Sequence, residues 1–219
     1  MGRVVARRDV ARGLAVGLCL LALGGCDGKS KWHAIDITGS LPPLAFAMTR
    51  ASDGKAVTAA DYRGSITMVY FGYTNCPDVC PTTLANIAEI LKRLGPAATR
   101  VRVLFVTIDP NRDSLADLKS YAAAFAPQID GLRGTEDAIA ALARRYRVVY
   151  SVEPATKDHP YEVTHSAAVY VFDSSGAARL LVPSLESTTP DIAGTVADLK
   201  RLIDENQSPG FITRIMRMV

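Results

Sequence analysis

An α/β fold with a central mixed β-sheet flanked by helices is what this 219-residue chain predicts. Three observations carry the prediction. Residues 66–71 (Ile-Thr-Met-Val-Tyr-Phe) and 101–108 are short, β-branched apolar runs joined by a helical stretch over 81–94, a β-α-β unit whose strands are parallel and covered on both faces. Two further helical stretches follow at 114–125 and 135–146, the second opened by a Thr-Glu-Asp cap and carrying Ile139, Leu142 and Tyr146 at helical spacing. Runs at 168–172 and 178–182 flank Asp173-Ser174-Ser175-Gly176, an antiparallel hairpin, before a last helix over 190–205 with Ile192, Val196, Leu199 and Ile203 on one face.

Composition agrees with one folded domain: 48% of residues are hydrophobic, 21% are charged, and the glycines and prolines follow no period. The element order resembles that of thioredoxin-like folds, with Thr107-Ile108-Asp109-Pro110 ending a central strand in a loop.

The ends of the chain read differently from its middle. Arg3, Arg7, Arg8 and Arg12 precede an apolar core at 13–23 that is short for a membrane span, so residues 1–25 are expected to be a signal peptide. Leu23-Gly24-Gly25-Cys26 resembles the lipobox of bacterial lipoproteins, which implies lipidation of Cys26, and Asp27 after it implies retention at the inner membrane with the domain facing the periplasm. The alternative is an ordinary leader that leaves Cys26 a free thiol, a liability in an oxidising compartment. Residues 26–41 are expected to form a membrane tether containing Trp32 and His33, residues 42–205 the thioredoxin-like domain, and residues 206–219 a packing tail.

Loss of the leader removes four arginines and Asp9 from 25 basic and 22 acidic residues, leaving equal numbers of each. A mature chain with no net charge and no basic run carries no electrostatic case for nucleic acid.

Of four cysteines, Cys19 leaves with the signal and Cys26 is the anchor, so Cys76 and Cys80 are the remaining thiols. A pair this close in an exported protein points to redox or metal chemistry rather than to a disulfide framework. They follow a strand and precede a helix, where open α/β sheets place their sites. Pro81 suits the first helical position and disfavours helical geometry at Cys80, which puts Cys80 near the N-cap and Cys76 in the loop. Amides and dipole at such a helix start favour the thiolate, which is both a nucleophile and the soft ligand that copper(I) prefers. For a third ligand the chain offers His33, His159 and His165. His165, just before the 168–172 strand, is the best placed, whereas His33 and His159 read as solvated residues. Asp109, Arg112 and Asp113 are expected to cap the following helix and order the loop near the site.

Cys76-Pro77-Asp78-Val79-Cys80-Pro81, Ile108-Asp109-Pro110-Asn111-Arg112-Asp113, and His165-Ser166 ahead of Val169-Tyr170-Val171 occur in that order. Over residues 44–203 the chain resembles the Sco/SenC family. The resemblance implies that Cys76, Cys80 and His165 bind a copper ion. It also implies a metallochaperone that delivers copper to the dinuclear site of cytochrome c oxidase, or reduces the cysteines of that site. The copper-bearing subunit of the oxidase is the implied partner, and another periplasmic copper carrier is a candidate source of the metal. One departure is Thr164, where the family often has an acid before the histidine. A carboxylate to orient the imidazole would then come from elsewhere, Asp158 and Glu162 being candidates. Asp78, between the thiols, either tunes the bound charge or solvates the loop.

A different class stays open: a periplasmic thiol-disulfide oxidoreductase in which Cys76 attacks and Cys80 resolves the mixed disulfide. A thiol peroxidase ranks lower. Structural zinc ranks lower too, since closed zinc sites take four side-chain ligands.

Overall fold

The computed structural model describes residues 32–207. The expected signal peptide, Cys26, the expected tether as far as residue 31 and the tail from residue 208 lie outside the described residues.

The strands are β1 (Ile35–Asp36), β2 (Ala47–Arg50), β3 (Ala56–Thr58), β4 (Ile66–Gly72), β5 (Val101–Thr107), β6 (Ile129–Arg133), β7 (Tyr150–Glu153), β8 (Glu162–His165), β9 (Val169–Phe172) and β10 (Ala178–Val182). The helices are α1 (Val79–Leu94), α2 (Leu115–Ala123), α3 (Glu136–Tyr146) and α4 (Ile192–Gln207). Eight strands form one sheet in the order β1-β10-β9-β4-β5-β6-β2-β3, while β7 and β8 form a separate pair. Within the large sheet β4, β5 and β6 run parallel and the other neighbours antiparallel, so the sheet is mixed as expected.

The centre of the sheet is the driest part of the molecule. Every residue of β4 is buried, because α1 and α4 pack together on one side and the other face is also covered. α2 lies close on β6: a Cβ at Gly131 would sit 3.0 Å from the carbonyl oxygen of Leu118, so the missing side chain lets helix and strand approach. α3 brings Tyr146 against Tyr170 and Phe172 of β9, with ring centroids 6.1 and 5.2 Å away.

Two expectations need correction. α1 begins at Val79 with Asp78 as N-cap, so Cys80 is helical and Pro81 sits third in the helix. First-turn N–H groups have no intrahelical partner, so proline is tolerated there, and the burial of Cys80 outweighs the pre-proline bias. The later part of the expected tether, from Trp32 on, is also folded. The carboxylate of Asp198 accepts the N–H groups of His33 (3.1 Å) and Ala34 (2.8 Å), and the Trp32 ring lies 5.6 and 5.2 Å from the guanidinium carbons of Arg179 and Arg201. Ile35 and Asp36 then pair with Leu181 and Leu180 of β10. Trp32 is thus a buried anchor of the domain.

Candidate metal centre

The site grows from the end of β4. Gly72 closes that strand, and a Cβ there would meet the Phe105 ring at 2.6 Å and Cys80 Sγ at 2.9 Å. Only a residue without a side chain leaves room for the sulfur. The loop beyond is tied to β5 by Asp113, whose buried carboxylate accepts the Thr74 N–H (3.1 Å), the Thr74 hydroxyl (2.6 Å) and the Thr107 hydroxyl (2.6 Å). Asp113 therefore orders the loop, as expected, but does not cap α2. Ser114 does that, in a reciprocal capping box with Asp117.

Cys76 is half-buried in the loop and Cys80 is fully buried in the first turn of α1. The Cys80 N–H donates to Cys76 Sγ at 3.3 Å, so one otherwise unpaired helix-start amide points at sulfur. His165 comes in from the end of β8, and its Nε2 lies 3.3 Å from Cys80 Sγ. The three ligand atoms lie within 4.8 Å of one another, the one such group of His, Cys, Asp or Glu among the described residues.

The imidazole is oriented by the backbone. Nδ1 lies 3.1 Å from the Ser166 carbonyl oxygen, which only an N–H at Nδ1 satisfies, leaving Nε2 with its lone pair toward the sulfurs. Neither Asp158 nor Glu162 takes that place; both are exposed, and Thr164 pairs with Ser151 at 2.7 Å. Tyr70 and Tyr73 present their rings edge-on to the imidazole at 6.0 Å each.

Burial lowers the His165 pKa, against smaller opposing effects of the Ser166 carbonyl and the Glu186 charge, so the ring is a neutral donor at neutral pH. For Cys80 the expected helix-start effect loses to desolvation. Burial pushes its thiol up to about 12, so at neutral pH it holds its proton, which a metal binding there would have to displace. Its S–H is then the donor to Nε2.

The remaining candidates stay apart. His33 pairs with Asp191 at 3.3 Å on the far flank, and His159 lies exposed in the loop before β8. Thr82 reaches Asp78, which faces solvent. Sequence reasoning assigned no role to Gly72, Tyr70, Tyr73, Thr74 or Ser166. Gly72 alone carried a local signal, a glycine closing an apolar strand where close approach is expected.

Two thiols and a neutral imidazole form a soft and borderline donor set suited to copper or to zinc. With three side chains in place, the set falls short of the four of a closed zinc site.

Comparison with known proteins places this geometry. The family described as SCO1/SenC matches residues 44–203. The mitochondrial SCO2 homolog of Mus musculus is 38% identical over 154 residues, covering 68% of this chain and 60% of that protein. The Bos taurus homolog is 39% identical over 125 residues, covering 56% and 47%. The chain thus spans about half the length of the curated relatives it matches. ScoI of Bradyrhizobium japonicum with copper bound is 38% identical, with a TM-score of 0.64 over 73% of this chain and 98% of that one. Yeast Sco1 with copper bound is 29% identical, with a TM-score of 0.66 over 77% and 91%. A match across that span, with the cysteine pair and the histidine brought together inside it, means that the chain belongs to the SCO1/SenC family.

Proposed function

We propose that this protein is a copper metallochaperone serving the dinuclear copper site of cytochrome c oxidase, with Cys76, Cys80 and His165 as the ligands of its cargo. The observation that carries the reading is the convergence of those three ligand atoms within 4.8 Å, from a loop, a helix start and a distant strand. Thiolates select copper(I) and imidazole suits copper generally. The half-buried Cys76 leaves an open side through which a partner's cysteines can take the ion. Support for the cargo comes from the related structures that hold copper, and the oxidase as client is what family membership implies.

The chain's leader and Leu23-Gly24-Gly25-Cys26 support export and lipidation at Cys26, on the periplasmic face of a bacterial inner membrane. No described helix is long and apolar enough to cross a membrane.

Anaerobic copper(I) titration of the reduced protein, with X-ray absorption to identify donors, tests the ligand set. The expected result is one ion per chain held by two sulfurs and one nitrogen, with His165→Ala losing the nitrogen and about tenfold or more in affinity. Unchanged affinity and donors in that variant would remove the imidazole from the site.

A second reading, thiol-disulfide exchange with the oxidase cysteines, is favoured by the free and adjacent thiols of Cys76 and Cys80. The more accessible Cys76 thiolate attacks a partner disulfide and releases one partner thiolate. Cys80 then displaces the other, so two electrons pass to the partner and a Cys76–Cys80 disulfide remains. Reduction of the client site and its loading with copper are compatible steps.

A further inference from the structure

His165 is carried by an arm that the main sheet does not hold. β7 and β8 pair with each other alone, through Tyr150–His165, Ser151–Thr164, Val152–Val163 and Glu153–Glu162. Alternate residues of both strands are exposed and the others only half-buried. An isolated two-stranded hairpin is marginally stable in water. Between the arm, the start of α3 and the loop after β5 lies a cavity of about 790 Å3, lined by Ile108, Asp109, Ala140, Tyr150, Val152 and Tyr161 among others. Tyr150 and Val163 pack against the core, but with this space beside them the arm is only partly packed.

Apart from His165 itself, its polar side-chain ties to the rest of the domain are concentrated at Tyr161, the residue before β8. The Tyr161 hydroxyl donates to Asp109 Oδ1 at 2.8 Å, and its ring lies 3.8 Å from the Arg112 guanidinium carbon. Arg112 Nε donates to the other oxygen of the same carboxylate. A further tie, the Tyr73 hydroxyl to the Val163 carbonyl, is long at 3.4 Å. Asp109 is a firm base for this latch: it is 1% exposed, and its N–H donates to the Thr107 hydroxyl at 3.0 Å. That hydroxyl in turn donates to Asp113, the carboxylate that orders the cysteine loop through Thr74. One network, buried at Thr107, Asp109 and Asp113, thus reaches both halves of the site.

We propose that Tyr161, with Asp109 and Arg112 beneath it, is a positioning latch that holds the histidine arm over the two sulfurs and so governs how readily bound copper exchanges. This rests on the reading of His165 as a copper ligand. With the latch closed, the ion has three donors. When it opens, the arm swings away with the imidazole, and the thiolates alone present the ion to an incoming thiol. A charge-assisted hydrogen bond is strong enough to bias such a marginal element.

The test is Tyr161→Phe in the full-length protein, which removes the hydroxyl and keeps the ring on Arg112, made with and without His165→Ala. Copper(I)-loaded protein is challenged with a chromogenic chelator, and donors are counted by X-ray absorption. Tyr161→Phe is expected to release copper about tenfold faster and to weaken the nitrogen signal while both sulfurs remain. In the His165→Ala background it is expected to change nothing. Thermal unfolding of each apo variant separates loss of the latch from loss of the fold. A wild-type release rate in Tyr161→Phe, or equal acceleration with and without His165, overturns the latch while leaving the ligand assignment standing. If His165→Ala alone leaves release and donors unchanged, the ligand assignment itself falls and the latch with it.

Discussion

The two sides of the site are built to different standards. The cysteine side belongs to the β4-α1-β5 core: β4 is buried throughout, Cys80 is fully enclosed, and Gly72, Phe105 and Tyr70 press around its sulfur. The histidine side is a two-stranded arm with alternate residues in water and a cavity behind it. The difference teaches that a soft ion can have fixed and releasable ligands in one protein. On the proposed ligand set, the buried Cys80 sulfur with Cys76 beside it would keep the ion from being lost. His165, on the less firmly held element, would let it leave when a competing ligand arrives.

The contrast can be broken most sharply by chemistry at the thiols. In reduced apo protein at pH 8, iodoacetamide is expected to modify the half-buried Cys76 and to spare Cys80, whose burial and raised pKa deny it both access and thiolate. Peptide mass mapping over time should show a rate ratio of about a hundredfold or more. Comparable rates would mean that the floor of the site opens as freely as its arm.

Packing beneath the sulfur gives the next largest effect. Gly72→Ala places a methyl group where the Phe105 ring and Cys80 Sγ now lie, and is expected to cost about 2 kcal/mol in urea unfolding. It should also weaken copper retention by displacing one donor. A substitution that proved neutral would show that the cysteine side gives way as easily as the histidine side.

The smallest effect belongs to the arm and depends on pH. Burial lowers the His165 pKa, so the unfolded chain binds the proton more readily than the folded one. Above the ordinary histidine pKa of about 6.5 both states are neutral and the group contributes no slope. Below it the apo protein loses stability progressively, until the pH passes the folded value. Urea unfolding between pH 7.5 and 5 should show this loss in the wild type and less of it in His165→Gln. An identical pH profile in the two proteins would mean that the ring is solvated and the arm more open than the structure shows.

Much of the frame was legible before any coordinates. The β-α-β unit, the 135–146 helix and the 178–182 strand all fall within a residue or two of where apolar periodicity and caps put them. Other elements were missed for identifiable reasons. The β2–β3 hairpin turns at Asp53-Gly54 between Met48 and Val57, a turn signal that was present and passed over. β1 is two residues long, and β7 and β8 alternate too briefly to stand out from the polar stretch between them. Asp113 was expected at a helix cap because its neighbours suit one, yet the buried hydroxyls of Thr74 and Thr107 claim its carboxylate.

By itself the sequence determined the local facts: two thiols at the junction of a strand and a helix, a histidine before a later strand, and the family to which that pattern belongs. These follow from periodicity and short-range geometry, which the chain expresses wherever it folds. Tertiary structure alone decided that His165 meets a sulfur 85 residues away, and that the Ser166 carbonyl holds the ring. It alone decided that Cys80 keeps its proton and that Trp32 is buried in the domain. Those outcomes depend on which surfaces exclude water together, and burial is a property of the assembled fold that no stretch of residues carries alone.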